Sequence, residues 1–413
     1  MKIGILSFRI DGLDGVSLEI EHWKDILERM GHEVVLIGGQ IEEALGGVVL
    51  ESLSFQTKRA TEIQEKLIDK NFKDTEDLKR EIFSYAKELI PEVKDTILSL
   101  NLDFLMIANV FSLPVHPALT VALTEIFKDI EKPKLILKHH DFWWERQRYQ
   151  RKEWIDFFNE YFPPDGLKAK HLVINSLAQK EFLKRKGILA FLFPDTFDFE
   201  NKKLILADEF SKKWREFFNI SQNDIVFLQA TRAIPRKRLE ISVELINRLK
   251  IPWSVLVFTG KEGDEGYGYL DGVKQLASQT EANIKFIGEF VDDKRRITPR
   301  EKVFNIWDCY KNADFILYPT RYEGFGNQFL EAVYFKKPII LTPYPVYLSD
   351  IKPLGFKVLE INFPFTESDI KKTKEFIFAD KKFLRKITEK NFKIAKKHFS
   401  YRAAMRRFKK ILK

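Results

Sequence analysis

The segment from Ala313 to Pro338 constrains the fold of this chain more than any other segment. Its apolar run Phe315–Tyr318 is typical of a buried parallel strand, and the proline that follows ends that strand. Gly324 and Gly326 predict a tight turn at which backbone can approach a ligand closely, and apolar residues at helical spacing follow directly. A strand, a glycine turn and a helix start present free N–H groups and the positive end of a helix dipole. The segment therefore predicts an anion site suited to a diphosphate.

The rest of the chain repeats this alternation of strands and helices. Lys2–Leu6 predicts a strand, Leu18–Met30 a helix and Glu33–Ile37 the next strand, which together form a β-loop-α-β unit. Further predicted strands are Leu102–Ala108, Lys134–Lys138, His171–Ile174, Ile225–Gln229, Ser254–Thr259, Ile284–Ile287, Pro338–Leu341 and Lys357–Ile361. Such an order favours open, mostly parallel sheets, so the sequence predicts an α/β fold.

Composition limits the protein to a few classes. With 413 residues, of which 45% are hydrophobic, the chain can build two domains that each have their own core. A net charge of +9 suits anionic ligands and is too mild to indicate nucleic acid. The single Cys309 excludes an internal disulfide, and no apolar run is long enough to span a membrane. We therefore expect a cytoplasmic protein whose charge suits anionic ligands.

Two carboxylates frame the glycine turn. Glu323 lies in the turn, and Glu331 lies eight residues later on the predicted helix. The run Glu-Gly-Phe-Gly, followed by this second glutamate, an alanine and Pro338, resembles the donor-site motif of family 4 (group 1) retaining glycosyltransferases. Lys336 and Lys337 depart from the motif, because a small residue or glycine is usual before the proline.

The resemblance implies a role for each residue of the motif. Glu323 would bind hydroxyls of the donor sugar, and Glu331 would bind the ribose of the nucleotide. The backbone between them would hold the diphosphate at Phe325, Gly326, Asn327 and Gln328. The implied architecture is GT-B, with two doubly wound Rossmann-like domains and an interdomain cleft. We expect an acceptor-side domain at residues 1–205, joined by a returning helix at about 395–413, and a donor-binding domain at residues 206–394.

Four cations follow the predicted strand Ile225–Gln229, within the run Ala230–Arg238. Charge runs are usually solvated surfaces, but the family places an Arg and a Lys of this spacing on the donor diphosphate, which implies that role for Arg232 and Lys237. Fixed cations stabilise the charge on a leaving diphosphate, as a metal ion does in other enzymes. Because the chain also lacks any Asp-x-Asp sequence, we expect a nucleotide-sugar donor with no cofactor and no metal.

Two features of the first domain resemble the same family. His140, at the end of a predicted strand, occupies the position of a histidine that contacts the donor sugar near the reacting carbon, and His139 faces the other way by alternation. The loop Gly12–Gly15 resembles the glycine loop that faces the donor phosphate, so Gly15 is a further predicted donor-binding residue. A structural histidine and a plain strand-to-helix turn remain the alternatives.

The acceptor is the part that the sequence determines least. One hypothesis is a small soluble acceptor, including an acidic one, at which Trp143 and Trp144 stack on a sugar ring while Arg146 and Arg148 meet a carboxylate or phosphate. The alternative is that these aromatic residues belong to the core and the arginines are solvated.

A second hypothesis is a lipid-linked acceptor, reached by the basic helix Tyr401–Lys413 at a membrane surface. Met405, Phe408 and Leu412 give this helix an apolar face, which favours packing on the first domain instead. The sequence therefore predicts a retaining transferase that moves a hexosyl unit from a donor of the UDP-glucose or GDP-mannose type to a small soluble acceptor. The alternatives are a membrane-associated glycosyltransferase and a non-catalytic nucleotide-sugar-binding protein.

Overall fold

The computed structural model describes residues 1–11, 15–262, 268–292, 294–297 and 302–413, in two compact units. The first unit comprises Met1–Asp195 and Ala404–Lys413, and the second comprises Thr196–Ala403. The sequence predicted the end of the first domain at residue 205 and the return of the chain to that domain at about residue 395. Residues 12 to 14 of the predicted glycine loop lie outside the described residues.

The first unit is built on a seven-stranded sheet in which every pairing is parallel. Its strands are β1 (Lys2–Ser7), β2 (Glu33–Gly38), β3 (Val48–Val49), β4 (Phe104–Ala108), β5 (Lys134–His139), β6 (Ala169–Val173) and β7 (Phe191–Leu192). The spatial order β3-β2-β1-β4-β5-β6-β7 changes direction between β1 and β4. In doubly wound sheets ligands bind beyond the carboxyl ends of strands at such a switch point.

Helices connect these strands in the part of the unit that the structure describes. They are α1 (Gly15–Arg29), α2 (Lys58–Ile68), α3 (Thr75–Ser99), α4 (Pro117–Lys128), α5 (Ile155–Tyr161) and α6 (Ser176–Lys186). Ala404–Lys413, which includes most of the C-terminal helix Tyr401–Ile411, also belongs to this unit. Phe408 is buried with its ring centroid 4.6 Å from that of Phe193, and the Lys170 ammonium donates a 2.6 Å hydrogen bond to the carbonyl of Ile411.

The second unit contains a six-stranded parallel sheet and a small three-stranded sheet. The strands of the large sheet are β8 (Ile225–Gln229), β9 (Ser254–Phe258), β10 (Asn283–Phe286), β14 (Phe315–Tyr318), β15 (Ile339–Leu341) and β16 (Leu359–Glu360). The small sheet consists of β11 (Val291–Asp292), β12 (Arg296–Ile297) and β13 (Lys302–Asn305). The order β10-β9-β8-β14-β15-β16 places the switch point between β8 and β14.

The helices of this unit alternate with its strands. They are α7 (Glu209–Lys212), α8 (Trp214–Phe217), α9 (Leu239–Leu249), α10 (Tyr269–Ser278), α11 (Ile306–Asn312), α12 (Asn327–Tyr334), α13 (Glu367–Ile377) and α14 (Lys381–Phe399). The amphipathic face of α9 is buried against the strands, with Leu239, Val243 and Leu249 inaccessible to solvent.

The predicted strands are confirmed to within about two residues at either end, and so is the α/β class. The sequence did not predict β3 or the three-stranded sheet. A two-residue strand such as β3 is too short to carry a recognisable alternation of side chains, and its pairing is decided by the neighbouring strand.

The departure from the motif at Lys336 has a structural explanation. Its backbone has φ +53°, a left-handed conformation that favours glycine. The Lys336 ammonium forms a 2.8 Å ion pair with Glu389, and the neighbouring Lys337 ammonium donates to the carbonyls of Lys311 and Ala313 at the end of α11. These contacts hold two lysines in place of the usual small residues.

Candidate active site

The carboxyl edge of the second sheet brings the predicted donor residues together. β8 lies between β9 and β14, and parallel strands end at the same edge. The chain leaves β8 into the cation run and β14 into the glycine turn, and it leaves β9 near Gly260. A Cβ built on Gly260 would lie 1.8 Å from the carbonyl oxygen of Thr231. The loops after β8 and β9 are therefore in direct backbone contact.

Glu323 is held at this edge by two cations and a hydroxyl. Its side chain is only 7% exposed, and the Arg236 Nη1 donates to its Oε2 at 2.8 Å. The Lys237 ammonium and the Thr320 Oγ1 donate to its Oε1, the latter at 2.9 Å. Since a buried carboxylate is tolerated only when it is paired and hydrogen-bonded, these three groups fix its position.

In this cluster neighbouring charges oppose the effect of burial on the pKa values of Glu323 and Lys237. Burial raises the pKa of Glu323, but the charges of Lys237 and Arg236 outweigh burial and lower its pKa to about 2. Burial lowers the pKa of the Lys237 ammonium, and the attraction of Glu323 opposes that shift. At neutral pH the cluster holds two cations against one carboxylate, and its net positive charge suits an anionic ligand.

The structure gives different surroundings to Arg232 and Lys237, the two cations to which the sequence assigned the same role. Arg232 is exposed, and its guanidinium makes no ion pair or hydrogen bond within the part of the chain that the structure describes. Lys237 is buried on Glu323. The residue that sequence reasoning missed is Arg236, which the short helix Pro235–Lys237 places beside Lys237. The run of four cations was the available signal, but it did not show which cation meets the carboxylate.

The turn before α12 requires glycine. Gly326 has φ +121°, and a Cβ on it would lie 2.7 Å from the Tyr318 hydroxyl oxygen. The preceding Phe325 is buried, and its carbonyl accepts a 2.9 Å hydrogen bond from the Tyr344 hydroxyl. This arrangement fixes the backbone that leads into the helix.

The first residues of α12 are Asn327, which is half-buried, and Gln328, which is buried. The side-chain amide of Gln328 has no hydrogen-bond partner among the described residues. Buried amides in folded proteins are normally hydrogen-bonded, and the predicted contact of the Gln328 backbone with the diphosphate stays a prediction.

Glu331 lies one helical turn further along α12 and is half-buried. The hydroxyl of Tyr310, which is inaccessible to solvent, donates to its Oε2 at 2.6 Å. Nothing in the sequence pattern distinguished Tyr310 from the other core aromatic residues.

In the first unit the predicted alternation of the two histidines is confirmed. His139 is buried between Ser112 Oγ, 2.7 Å from its Nδ1, and His171 Nδ1, 3.1 Å from its Nε2. His140 faces the other side and stacks on Trp23 of α1, with the ring centroids 5.7 Å apart.

Neither ring nitrogen of His140 has a hydrogen-bond partner in the described ranges. Burial, with a smaller contribution from the Lys138 charge, holds the pKa of His140 well below its usual value. The imidazole is therefore neutral at neutral pH, and its contact with a donor sugar stays a prediction.

The structure corrects the acceptor platform predicted from Trp143 and Trp144. Both indoles are buried in the core of the first unit, where Trp144 stacks on Phe142 with centroids 4.3 Å apart and Trp143 packs on Phe158. Neither ring is open for stacking on a sugar. Phe158 lies on α5, and Phe142 stacks in turn on Phe182 of α6. Both tryptophans therefore belong to the core, which is the alternative that the sequence left open.

The other predicted residues of this unit lie on or near its surface. Arg146 pairs with Asp141, its Nε donating at 2.6 Å, whereas Arg148 is exposed over the ring of Tyr149. Gly15 is the first residue of α1, and a Cβ on it would meet nothing within 4 Å. Packing therefore does not require glycine at position 15.

Comparison with known proteins identifies the family. Residues 210–393 match the family model described as glycosyl transferases group 1. Over 408 residues the chain is 35% identical to the mannosylglucosylglycerate synthase of Petrotoga mobilis. This alignment covers 92% of the chain and 93% of the relative. The chain belongs to the group 1 glycosyltransferases. It is also 31% identical to the mannosylglucosylglycerate synthase of Thermotoga maritima, over 97% of each chain.

Solved structures show that this glycosyltransferase has the GT-B fold. The sucrose-phosphate synthase of Thermosynechococcus elongatus matches 99% of this chain and 98% of its own, with a TM-score of 0.69 and 14% identity. HepE of Anabaena, solved in complex with UDP-glucose, matches 100% of this chain and 99% of its own, with a TM-score of 0.67 and 13% identity. These identities are low, so the likeness concerns the fold.

Two further observations concern the residues that the structure describes. Among them, no three or more His, Cys, Asp or Glu side chains are grouped so that they could hold a metal ion. None of their helices is long and apolar enough to cross a membrane. Metal independence of the glycosyltransferase stays a prediction.

The pKa of Glu323 predicts how the stability of the glycosyltransferase depends on pH. The folded value of about 2 lies below the usual value of 4.5, so the unfolded chain takes up a proton that the folded chain does not. The stabilising contribution is present above pH 4.5 and is lost as the pH falls towards 2. In Glu323→Gln this proton uptake is lost, so we expect the unfolding free energy to fall less steeply with decreasing pH in that range. The difference in slope should correspond to the uptake of up to about one proton on unfolding.

Urea denaturation at a series of pH values measures this slope. Glu375→Gln on α13 is the matched control, because Glu375 is exposed and has no ion pair in the described structure. Equal slopes for the two variants would contradict the assigned pKa.

Proposed function

We propose that this glycosyltransferase moves a mannosyl unit from a nucleotide sugar of the GDP-mannose type to a small acidic glycoside of the glucosylglycerate class, with retention at the anomeric carbon. The observation that carries the proposal is the Glu323 cluster at the carboxyl edge of the second sheet. The two relatives named mannosylglucosylglycerate synthase support the choice of product.

In this proposal the carboxylate of the cluster binds the donor sugar, and the cations bind the diphosphate. Glu323 is fixed and ionised, so it accepts hydrogen bonds from hydroxyls of the donor sugar without reorganisation. An ammonium has three donors, so Lys237 can bind Glu323 and a phosphate oxygen together. Arg232 adds an exposed guanidinium on the same loop, which suits the diphosphate as its charge grows on departure.

The same residues support the proposed stereochemistry. The acidic residues at this edge, Glu323 and Glu331, are both held by hydrogen bonds from neighbouring side chains. Neither is placed as a nucleophile in this proposal, so the leaving phosphate takes the proton of the acceptor hydroxyl on the face from which it departs. Retention follows, because the new bond forms on the face where the old bond breaks.

Transfer assays test the proposal directly. The protein is incubated with GDP-mannose or UDP-glucose and with glucosylglycerate, glycerate, glucose or a phosphosugar, and products are detected by mass spectrometry. We expect a mannosylated acidic glycoside from GDP-mannose, and proton NMR of the early product should show the α-configuration of the donor. A β-linked product would overturn retention.

The alternatives give different results in the same experiments. Binding of nucleotide sugar without transfer or hydrolysis over hours would indicate a non-catalytic binding protein. Transfer only to lipid-linked acceptors, with co-sedimentation on anionic vesicles at physiological salt, would indicate a membrane-associated enzyme. Burial of Phe408 in the C-terminal helix leaves less apolar surface for lipid and favours the small acceptor.

Removal of divalent metal is expected to leave the transfer rate nearly unchanged. The reason is that Arg232, Arg236 and Lys237 already supply positive charge at the carboxyl edge of β8. Initial rates with excess EDTA, and again after addition of magnesium or manganese, measure the effect. A large drop that either metal reverses would contradict the charge argument.

A further inference from the structure

Tyr310 is a buried core residue that contacts Glu331, the predicted ribose-binding carboxylate. Its side chain is inaccessible to solvent, and its ring stacks on Phe335 with centroids 5.2 Å apart and planes 8° apart. Trp307 of the same helix lies beside it, with a centroid distance of 6.2 Å. Because these core residues enclose the ring, packing sets the position of its hydroxyl.

That hydroxyl is directed at Glu331, to whose Oε2 it donates at 2.6 Å. Burial and the charge of Glu331 both hold the pKa of Tyr310 well above its usual value, so the hydroxyl keeps its proton and remains a donor. The terminal torsion of a glutamate is otherwise broad. The hydrogen bond from Tyr310, whose position is set by packing, therefore favours one orientation of the carboxylate.

We propose that Tyr310 is a positioning residue for nucleotide recognition, which orients the Glu331 carboxylate towards the ribose hydroxyls of the donor. This inference rests on the proposed function, because it requires a nucleotide donor. A carboxylate accepts up to about four hydrogen bonds, so the bond from Tyr310 is compatible with further bonds from ribose. Tyr310 itself does not touch the donor in this proposal.

Calorimetric titration of the full-length protein tests the proposal with GDP, UDP and their 2′,3′-dideoxy forms. The wild-type protein should bind the ribonucleotide more tightly than the dideoxy form. Tyr310→Phe removes the hydroxyl and keeps the ring, and we expect it to weaken binding of the ribonucleotide about tenfold, the usual effect of losing a hydrogen bond to a charged group. Binding of the dideoxy form should not change.

A matched control is available in the same unit. The Tyr347 hydroxyl donates to Glu360 Oε1 at 2.7 Å, so Tyr347→Phe breaks a hydrogen bond of the same kind elsewhere. We expect it to leave the preference for ribose unchanged. If Tyr310→Phe does not fold, Glu331→Ala provides the second variant, and it should abolish the preference for ribose.

The outcomes separate this inference from the proposed function. Equal weakening of ribo- and dideoxynucleotide by Tyr310→Phe would mean a general structural effect and would overturn the inference. Wild-type binding without any preference for ribose would also overturn it while leaving the transferase proposal intact. Failure of the wild-type protein to bind either GDP or UDP would overturn both.

Discussion

Replacing Arg232 with alanine is expected to lower kcat by two to three orders of magnitude, about 3 kcal/mol of transition-state stabilisation. Arg232 is the exposed cation of the loop after β8, and its guanidinium has no partner in the described structure that must be given up before it meets a ligand. The substitution removes the positive charge that would stabilise the departing diphosphate, and it breaks no buried contact. Steady-state kinetics with the nucleotide sugar varied would measure the effect.

Substitution of Arg232 distinguishes an effect on catalysis from an effect on stability better than substitution of Lys237 does. Lys237 is buried on Glu323, so its removal would leave a buried carboxylate short of one partner and lower stability as well as activity. For Arg232→Ala we expect the unfolding free energy to stay within about 0.5 kcal/mol of the wild-type value. Arg385→Ala is the control, since Arg385 is an exposed arginine on α14 with no side-chain partner in the described ranges. A change in KM alone would show that Arg232 binds ground state and transition state equally.

Replacing Gly260 with alanine is expected to destabilise the second unit by more than about 4 kcal/mol. The added Cβ would lie 1.8 Å from the Thr231 carbonyl oxygen and 2.9 Å from the Ala233 nitrogen. Both are backbone atoms, so no side-chain rotation can relieve the overlap. The loop after β8 must shift, and because it carries Arg232, activity should fall together with stability.

Gly272→Ala is the matched control for this prediction. Gly272 lies within α10, and a Cβ on it would meet nothing within 4 Å. Because alanine favours the helix, this variant should be more stable by about 0.5–1 kcal/mol. Urea denaturation followed by circular dichroism compares the two variants. A loss below about 1 kcal/mol in Gly260→Ala would show that the two loops can separate at little cost.

The strand-glycine-helix segment and its two carboxylates were predictable from the sequence because their determinants are local. The apolar run of β14, the glycines of the turn and the spacing of Glu323 and Glu331 all lie within one short stretch. The same is true of His139 and His140, whose opposite orientations follow from the period of a strand. Alternating elements then fixed the α/β class, since parallel strands require helical connections.

Contacts between distant residues were decided only by the tertiary structure. Arg236 and Lys237 meet Glu323 across 87 and 86 residues, because the sheet order places β8 beside β14. Nothing in the cation run distinguished Arg236 from Arg232, and nothing near Tyr310 indicated that it meets Glu331. Trp143 and Trp144 show the same limit, since a sequence cannot tell an aromatic residue of the core from one that faces a ligand. Periodicity specifies which residues form an element and which side they occupy, whereas packing of whole elements determines which side chains meet.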